Sequence, residues 1–239
     1  MEKGYHRLEW DSGVFGFNVA SLTMSKYDDS YLLSILKELK ENNYRLVYWR
    51  TQMTEEEKII SHGATLVDEK VTYHKGMKSE LILNPESLYS ITTYSHKEPE
   101  QALLDLAQES GAYSRFRLDP LFPSSLFEKL YNIWMKRSVD REIAHEVLVA
   151  KDIDGVLCGV VTLGEVRGKG DVGLLAVASR ARGQGLGRLL MENAENFFIK
   201  HGYTEAQVVT QRKNIKACNL YESCGYKVEK IEKIYHFWL

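Results

Sequence analysis

The hydrophobic residues of the chain follow two patterns, one typical of helices and one typical of strands, and segments with the two patterns follow one another. Stretches with apolar residues three or four positions apart predict helices, and short runs of β-branched and aromatic residues between them predict strands. In the first third of the chain, Asp28 and Thr54 mark helix starts and Gly63 marks a helix end. The elements predicted there are a strand entering a turn over 8–20, a helix over 28–42, a strand over 45–49, a helix over 55–62 and a strand over 66–74.

The alternation continues after a polar stretch that contains Pro85 and Pro99. We therefore expect a small N-terminal α/β domain over 1–85 and a larger domain over 86–239. The Asp154-Gly155 dipeptide between two apolar runs predicts an antiparallel hairpin. The elements predicted in the larger domain are helices over 100–109 and 124–137 with a loop over 114–120 between them, hairpin strands over 147–150 and 159–163, a strand over 172–179, a helix from about 186, a strand over 206–210, a helix over 214–224 and a strand from 226 onward.

The chain also contains a weak internal repeat. Residues 61–74 align without a gap onto residues 223–236, and the two copies share a serine, a glycine, a tyrosine and a histidine. A predicted strand and helix precede each copy in the same order. We interpret the first part of the chain as a truncated copy of the C-terminal half.

The composition is typical of a globular protein, with 44% hydrophobic and 27% charged residues. The 31 Lys and Arg residues against 33 Asp and Glu residues give a net charge of −2, which favours neither nucleic acid nor a membrane surface as a partner. The three cysteines are scattered, the seven histidines lack metal-ligand spacing, and no apolar run approaches about 20 residues. These features predict a cytoplasmic protein without a metal, in which any anion site is local.

Such a local site is indicated by a strand, a glycine-rich turn and a helix start over 173–188. Glycines let the backbone approach a ligand closely, and the free N–H groups of a helix start face an anion favourably. Neither the dinucleotide pattern GxGxxG nor the P-loop fits the segment, which makes nicotinamide nucleotides and ATP poor candidates. Between residues 180 and 216 there are seven basic residues and three acidic ones. The alternative is that the glycines only serve a tight turn.

The loop sequence Arg182-Gly183-Gln184-Gly185-Leu186-Gly187, after an apolar strand, resembles the acetyl-CoA loop of the GNAT superfamily of N-acetyltransferases. The resemblance implies an α/β fold with a mixed, mostly antiparallel sheet flanked by helices, here preceded by a small truncated GNAT-like domain. It implies acetyl-CoA as cosubstrate, with the pyrophosphate on the loop amides and the pantetheine arm paired with the preceding strand. The implied cofactor-binding residues are Leu175, Ala176, Val177, Arg182, Gly183, Gln184, Gly185, Leu186, Gly187, Arg188 and Asn214.

A second resemblance extends into the N-terminal part. The segments Leu8-Glu9-Trp10-Asp11, Phe15-Gly16 and Ser114-Arg115-Phe116-Arg117, together with Asn214 seven residues before Tyr221, are similar to the TDP-fucosamine acetyltransferases. These enzymes acetylate the 4-amino group of a TDP-linked 4-amino-4,6-dideoxyhexose for bacterial surface polysaccharides. The implied substrate is therefore a nucleotide-activated amino sugar such as dTDP-4-amino-4,6-dideoxygalactose. The alternatives are a GNAT enzyme that acetylates a protein N-terminus, a lysine or a small amine, and a non-catalytic acyl-CoA-binding module.

Roles for single residues follow from this resemblance. Tyr221 matches the family's general acid, whose phenol donates a proton to the departing thiolate, although a tyrosine at helical spacing also suits a core. Asp68 lies where the family carries a glutamate and is a candidate base, the alternative being an exposed strand carboxylate. Arg115 and Arg117 alternate around Phe116, and in a strand or loop both guanidiniums would face one diphosphate. The alternative for the arginines is a pair of surface ion pairs.

Two further alternatives concern the C-terminal part. Asn214 could cap the helix that leads to Tyr221, and this role is compatible with cofactor binding because the side chain is short. The apolar last strand over 235–239 would expose an edge unless it is paired. This leaves a homodimer or an interior strand as the two interpretations.

Overall fold

Eight α-helices, ten strands and one short 3-10 helix (Ser179–Ala181) lie within residues 4–78 and 87–239, which are the residues that the computed structural model describes. The strands are β1 (Tyr5–Arg7), β2 (Asn18–Leu22), β3 (Tyr44–Thr51), β4 (Ala64–Gly76), β5 (Ser90–Thr93), β6 (Glu146–Lys151), β7 (Leu157–Val166), β8 (Lys169–Val177), β9 (Glu205–Gln211) and β10 (Lys227–Trp238). The helices are α1 (Glu9–Phe15), α2 (Asp29–Glu41), α3 (Glu56–Ser61), α4 (Gln101–Ser110), α5 (Arg115–Leu118), α6 (Ser124–Val139), α7 (Leu186–Lys200) and α8 (Ile215–Ser223). None of the helices in this part of the chain is long and apolar enough to cross a membrane.

The chain forms two compact units, and each unit draws on several segments. Unit 1 contains the described residues of Met1–Lys70, Ser114–Leu126 and Ile231–Leu239, and unit 2 contains those of Val71–Tyr113 and Phe127–Lys230. The last residues of β4 therefore belong to unit 2, and the last residues of β10 belong to unit 1. The last strand of each repeat copy is therefore divided between the two units. The domains expected over 1–85 and 86–239 stay a prediction, and part of their boundary lies outside the described residues.

In unit 1 the strands follow the order β1-β2-β3-β10, parallel between β2 and β3 and antiparallel elsewhere. Val47 and Trp49 of β3 are buried in a core with apolar residues of α2 and α3. Neighbouring strand residues point to opposite faces, so Tyr48 lies on the other face, where its ring contacts Phe116 of α5 at 6.4 Å between centroids. Lys233–Trp238 of β10 pairs with β3. The strand is thus paired within the chain, and the homodimer stays a prediction.

Unit 2 has the strand order β9-β8-β7-β6-β5, with β8 and β9 parallel and the other pairs antiparallel. Val160 of β7 packs in a core with residues of α4 and α6. A Cβ added to the preceding Gly159 would lie 3.0 Å from Leu190 Cδ1 of α7. Helices therefore cover both faces of these strands. The α/β fold with a mixed, mostly antiparallel sheet flanked by helices is confirmed.

Three local predictions were wrong. Residues 9–15 form helix α1 in place of a strand, because Glu9 and Asp11 supply negative charge to the first turn and Gly16 ends the helix with φ of +76°. A short helix, α5, replaces the loop expected over 114–120. Thr54 does not cap α3, whose N-cap residue is Glu55 without a side-chain bond.

Candidate active site

The candidate cofactor site in unit 2 begins where β8 separates from β9. The two strands pair from Gly170–Ala206 to Val172–Val208, whereas β8 continues to Val177. Within the described part of the chain, no β8–β9 pair lies beyond Val172. A strand edge without a neighbour presents N–H and C=O groups to an extended ligand. The predicted pantetheine residues Leu175, Ala176 and Val177 lie on this stretch of β8.

A bulge in β7 sets the conformation of β8 at the separation. The register of the β7–β8 pair shifts between Val161 and Leu163, and Thr162 Oγ1 accepts a hydrogen bond from the Leu174 N–H at 2.8 Å. A Cβ added to Gly173 would lie 2.7 Å from the same hydroxyl oxygen. Position 173 therefore needs glycine for this close approach.

The glycine-rich loop connects β8 to α7. Gly183 and Gly185 have φ of +74° and +81°, which favours glycine at both positions. Gly185 is the N-cap of α7 and no side chain caps the helix. The first bond of the helix runs from the Leu189 N–H to Gly185 O at 3.1 Å. The amides of Leu186, Gly187 and Arg188 therefore precede the first helical hydrogen bond and suit a pyrophosphate.

Two side-chain contacts hold this loop in place. A Cβ added to Gly187 would lie 3.1 Å from Leu220 Cδ2, so glycine permits close packing of α7 against α8. Gln184 Oε1 accepts a hydrogen bond from the Tyr89 hydroxyl at 2.6 Å, and its Nε2 donates to Arg180 O at 3.1 Å. Tyr89 was missed by the sequence analysis because it lies 95 positions before its partner.

The loop arginines make contacts within the protein. Arg182 Nε donates to Val177 O at 2.9 Å, and its guanidinium forms an ion pair with Glu109 of α4 at 2.5 Å. Arg188 donates to Ser223 O at the end of α8 at 3.1 Å. These arginines tie the loop to β8, α4 and α8. Their direct contact with a phosphate stays a prediction.

Helix α8 carries the candidate acid. Asn214 Oδ1 accepts a hydrogen bond from the Ala217 N–H at 3.2 Å, which confirms the capping interpretation. Tyr221 is buried, and its ring centroid lies 5.8 Å from that of Tyr73 and 6.4 Å from that of Tyr226. Burial raises the pKa of Tyr221 above its ordinary value. The phenol is therefore neutral at neutral pH and can donate its proton.

The other predicted residues lie in unit 1. Asp68 of β4 is 8% exposed, so the interpretation as an exposed strand carboxylate is wrong for this residue. Arg115 is half-buried and Arg117 is exposed. Residues two apart on a helix point about 200° apart, so the strand or loop assumed for these two arginines is wrong. Binding of the substrate by Arg115 and Arg117 stays a prediction.

Arg115 instead forms a cluster with residues from distant segments. Its guanidinium carbon lies 4.9 Å from the Tyr48 ring centroid and 4.3 Å from that of Phe116. Burial raises the pKa of Asp11 in α1, and the positive charge of Arg115 opposes this effect. Phe15 of α1 contacts Phe116 at 6.0 Å between centroids. The N-terminal and central segments of the second resemblance thus meet in unit 1.

Comparisons with known proteins agree with this geometry. Residues 112–226 match the model of the Acetyltransferase (GNAT) family. The chain is similar to a GCN5-related N-acetyltransferase from Sphaerobacter thermophilus, with a TM-score of 0.66 and 15% identity over 98% of this chain and 76% of that chain. The GCN5-related N-acetyltransferase from Kribbella flavida gives a TM-score of 0.59 and 14% identity over 92% and 81% of the two chains.

A third similar structure is the GCN5-related glucosamine N-acetyltransferase region of a fungal multi-domain GH3 β-N-acetylglucosaminidase, with a TM-score of 0.55 and 14% identity over 92% of this chain and 30% of that chain. None of the curated protein sequences matches this chain. The β8 edge, the glycine-rich loop and Tyr221 all lie within the residues that the family model matches. The chain has the GNAT fold and is an acetyl-CoA-dependent N-acetyltransferase.

Proposed function

We propose that the enzyme transfers an acetyl group from acetyl-CoA to the amino group of a nucleotide-activated amino sugar such as dTDP-4-amino-4,6-dideoxygalactose. The observation that carries this proposal is the cluster of Asp11, Tyr48, Arg115 and Phe116 in unit 1. Arg115 is half-buried, and it forms no ion pair with any residue that the structure describes. A guanidinium held in this way suits an anionic group of the acceptor.

The residues of unit 2 fit acetyl-CoA. The amides of Leu186, Gly187 and Arg188 would bind its pyrophosphate, and the backbone of Leu175–Val177 would pair with its pantetheine arm. Acetyl-CoA supplies a thioester, which an amine attacks with expulsion of a thiolate. Tyr221 would donate its phenolic proton to the sulfur and recover one that the amine releases. Asp68 remains our candidate for the base that takes the first proton, from the ammonium form of the acceptor, before the free amine attacks.

Two features favour a nucleotide sugar over a peptide or a simple amine. The Arg115 guanidinium carbon lies 4.9 Å from the Tyr48 ring centroid and 4.3 Å from that of Phe116, and these contacts hold its positive charge in a position that suits the diphosphate of a nucleotide. The similar fungal region is a glucosamine N-acetyltransferase, which supports an amino sugar as an acceptor for this fold.

A substrate panel tests the proposal. TDP- and UDP-linked 3-amino and 4-amino 6-deoxysugars should include a substrate with a far higher kcat/KM than any peptide or polyamine. Arg115→Gln should raise the KM for that sugar about tenfold or more, since a charge-assisted hydrogen bond is lost. Arg117→Gln, on the exposed side of α5, is the matched control and should change KM little. Turnover of peptides or polyamines alone would replace the proposal with one of the other acceptors.

A further inference from the structure

A buried histidine of unit 1 has one ring nitrogen without a partner. His236 is 0% exposed, and its Nδ1 lies 2.6 Å from Asp119 Oδ2. Its Nε2 is buried and has no hydrogen bond to any residue that the structure describes. His236 pairs with Tyr48 across β10 and β3, and their rings stack at 4.8 Å between centroids. The histidine thus lies on the same face of the strands as the Arg115 cluster.

Asp119 fixes the proton position of this histidine. Asp119 Oδ2 also accepts a hydrogen bond from Trp238 Nε1 at 2.9 Å, and its Oδ1 accepts one from the Leu121 N–H at 2.9 Å. Burial acts to raise the pKa of Asp119, but its bonds from His236, Trp238 and Leu121 outweigh burial and lower it. Asp119 is therefore a carboxylate that accepts hydrogen bonds, which requires a proton on His236 Nδ1.

The other nitrogen of His236 then carries a lone pair. Burial lowers the pKa of His236 to about 4, against the opposing effect of Asp119, so the ring is neutral at neutral pH. A neutral ring with its proton on Nδ1 offers Nε2 as an acceptor. An unmatched buried acceptor reduces stability, and the hydrogen bond to Asp119 uses only Nδ1. Folding therefore accounts for Nδ1, and Nε2 is the acceptor left for a ligand.

Arg115 carries the complementary unmatched group. Its Nε is buried and has no hydrogen-bond partner among the described residues, and its guanidinium lies against the Tyr48 ring that also stacks on His236. The two side chains thus offer a buried acceptor and a buried donor at one aromatic ring. A ligand with both an N–H or O–H group and an anionic group can satisfy both.

We infer that His236 is a specificity residue of the acceptor site. Its Nε2 accepts a hydrogen bond from an N–H or O–H group of the nucleotide-sugar acceptor, whose diphosphate Arg115 binds. Asp119 is the positioning residue that holds the imidazole in the required tautomer. The inference rests on the proposed function, because it assumes a nucleotide-linked acceptor. It adds a residue that neither resemblance indicated.

The test uses dTDP as the probe, with the full-length protein. His236→Asn keeps an N–H group near Nδ1 for Asp119 and removes the Nε2 acceptor. It should raise the Kd for dTDP about tenfold in calorimetry, as expected for one buried hydrogen bond. The matched control is His74→Asn, at the corresponding histidine of the first repeat copy, and it should leave the Kd unchanged.

A second measurement does not depend on a variant. In wild-type protein with ¹⁵N-labelled histidine, the Nε2 resonance of His236 should move on addition of dTDP, and Asp119→Asn should change the tautomer that the spectrum reports. Binding of dTDP without movement of this resonance would overturn the inference and leave the proposed function intact. Absence of dTDP binding, together with turnover of a peptide or polyamine, would overturn both.

Discussion

In the structure the first copy of the repeat extends over β2, α2, β3, α3 and β4, and the second extends over β8, α7, β9, α8 and β10. The two copies differ most in how their parallel strands pair. In the first copy, β2 pairs with β3 from Asn18–Tyr44 to Ser21–Tyr48, which is nearly the whole of β2. In the second copy, β9 pairs only with Gly170–Val172 of β8. The fully paired strand has no backbone edge to offer a ligand, whereas the separated strand has one.

The helix that follows each of these strands also starts differently. Asp28 caps α2, accepting a hydrogen bond from the Tyr31 N–H at 2.8 Å, and Asp29 adds a second carboxylate to the first turn. These groups stabilise the helix start and repel phosphate. Helix α7 starts at Gly185 without a side-chain cap, so its amides remain for a ligand.

The second helix of each copy, α3 or α8, shows the same contrast. At the position of Tyr221 in α8, the first copy has Ile59 in α3, which is buried in the core of unit 1. The first copy therefore has a side-chain cap and an apolar core residue where the second copy has a free helix start and a tyrosine hydroxyl. The second copy lacks these stabilising groups at the positions that form the candidate cofactor site. Departures from local stability rules are expected at functional sites, and here one chain contains both versions.

The largest effect is expected from a substitution in the glycine-rich loop. Gly185→Val forces a β-branched residue into φ of +81°, and relief of this backbone strain would displace the free amides at the start of α7, so calorimetry should show no binding of CoA. Gly155→Val is the matched control, because Gly155 has φ of +77° in a hairpin turn outside the site. If the folded Gly185 variant bound CoA like wild type, the loop assignment would be wrong.

The next largest effect is expected from Tyr221, the residue that distinguishes α8 from α3. Tyr221→Phe keeps the ring and removes the proton donor, so kcat should fall by about 10² to 10⁴ while the affinity for acetyl-CoA stays nearly constant. Tyr226→Phe, which removes a neighbouring buried hydroxyl, should leave kcat close to wild type. Turnover by the Tyr221 variant within about twofold of wild type, with chemistry rate-limiting, would refute the role.

The smallest effect is expected from the helix start of the first copy. Asp28→Ala removes the cap of α2 and should lower the free energy of unfolding by about 1 kcal/mol, measured by denaturant titration. The affinity for CoA should not change, because the site lies in the other copy. A weakened affinity at unchanged stability would show that α2 takes part in cofactor binding.

The local chemistry of the cofactor site could be predicted from sequence, because contiguous residues determine it. Gly183 and Gly185 of the loop over 182–187 adopt positive φ because of local sterics, and Asn214 caps α8 through a residue three positions away. Contacts between distant segments could not be predicted. The cluster around Arg115 depends on α1 and α5. The sequence predicted a strand and a loop at these two positions, because the first is rich in aromatic residues and glycine and the second lacks a helical pattern.

Calorimetry of CoA binding to the wild-type protein tests the central claim most directly. We expect one CoA molecule per chain, because among the described residues only the second copy combines a free strand edge with an uncapped helix start. The same stoichiometry should persist in Asp28→Ala. A stoichiometry of two per chain, or one site that survives Gly185→Val and is lost on substitution in α2, would contradict the account.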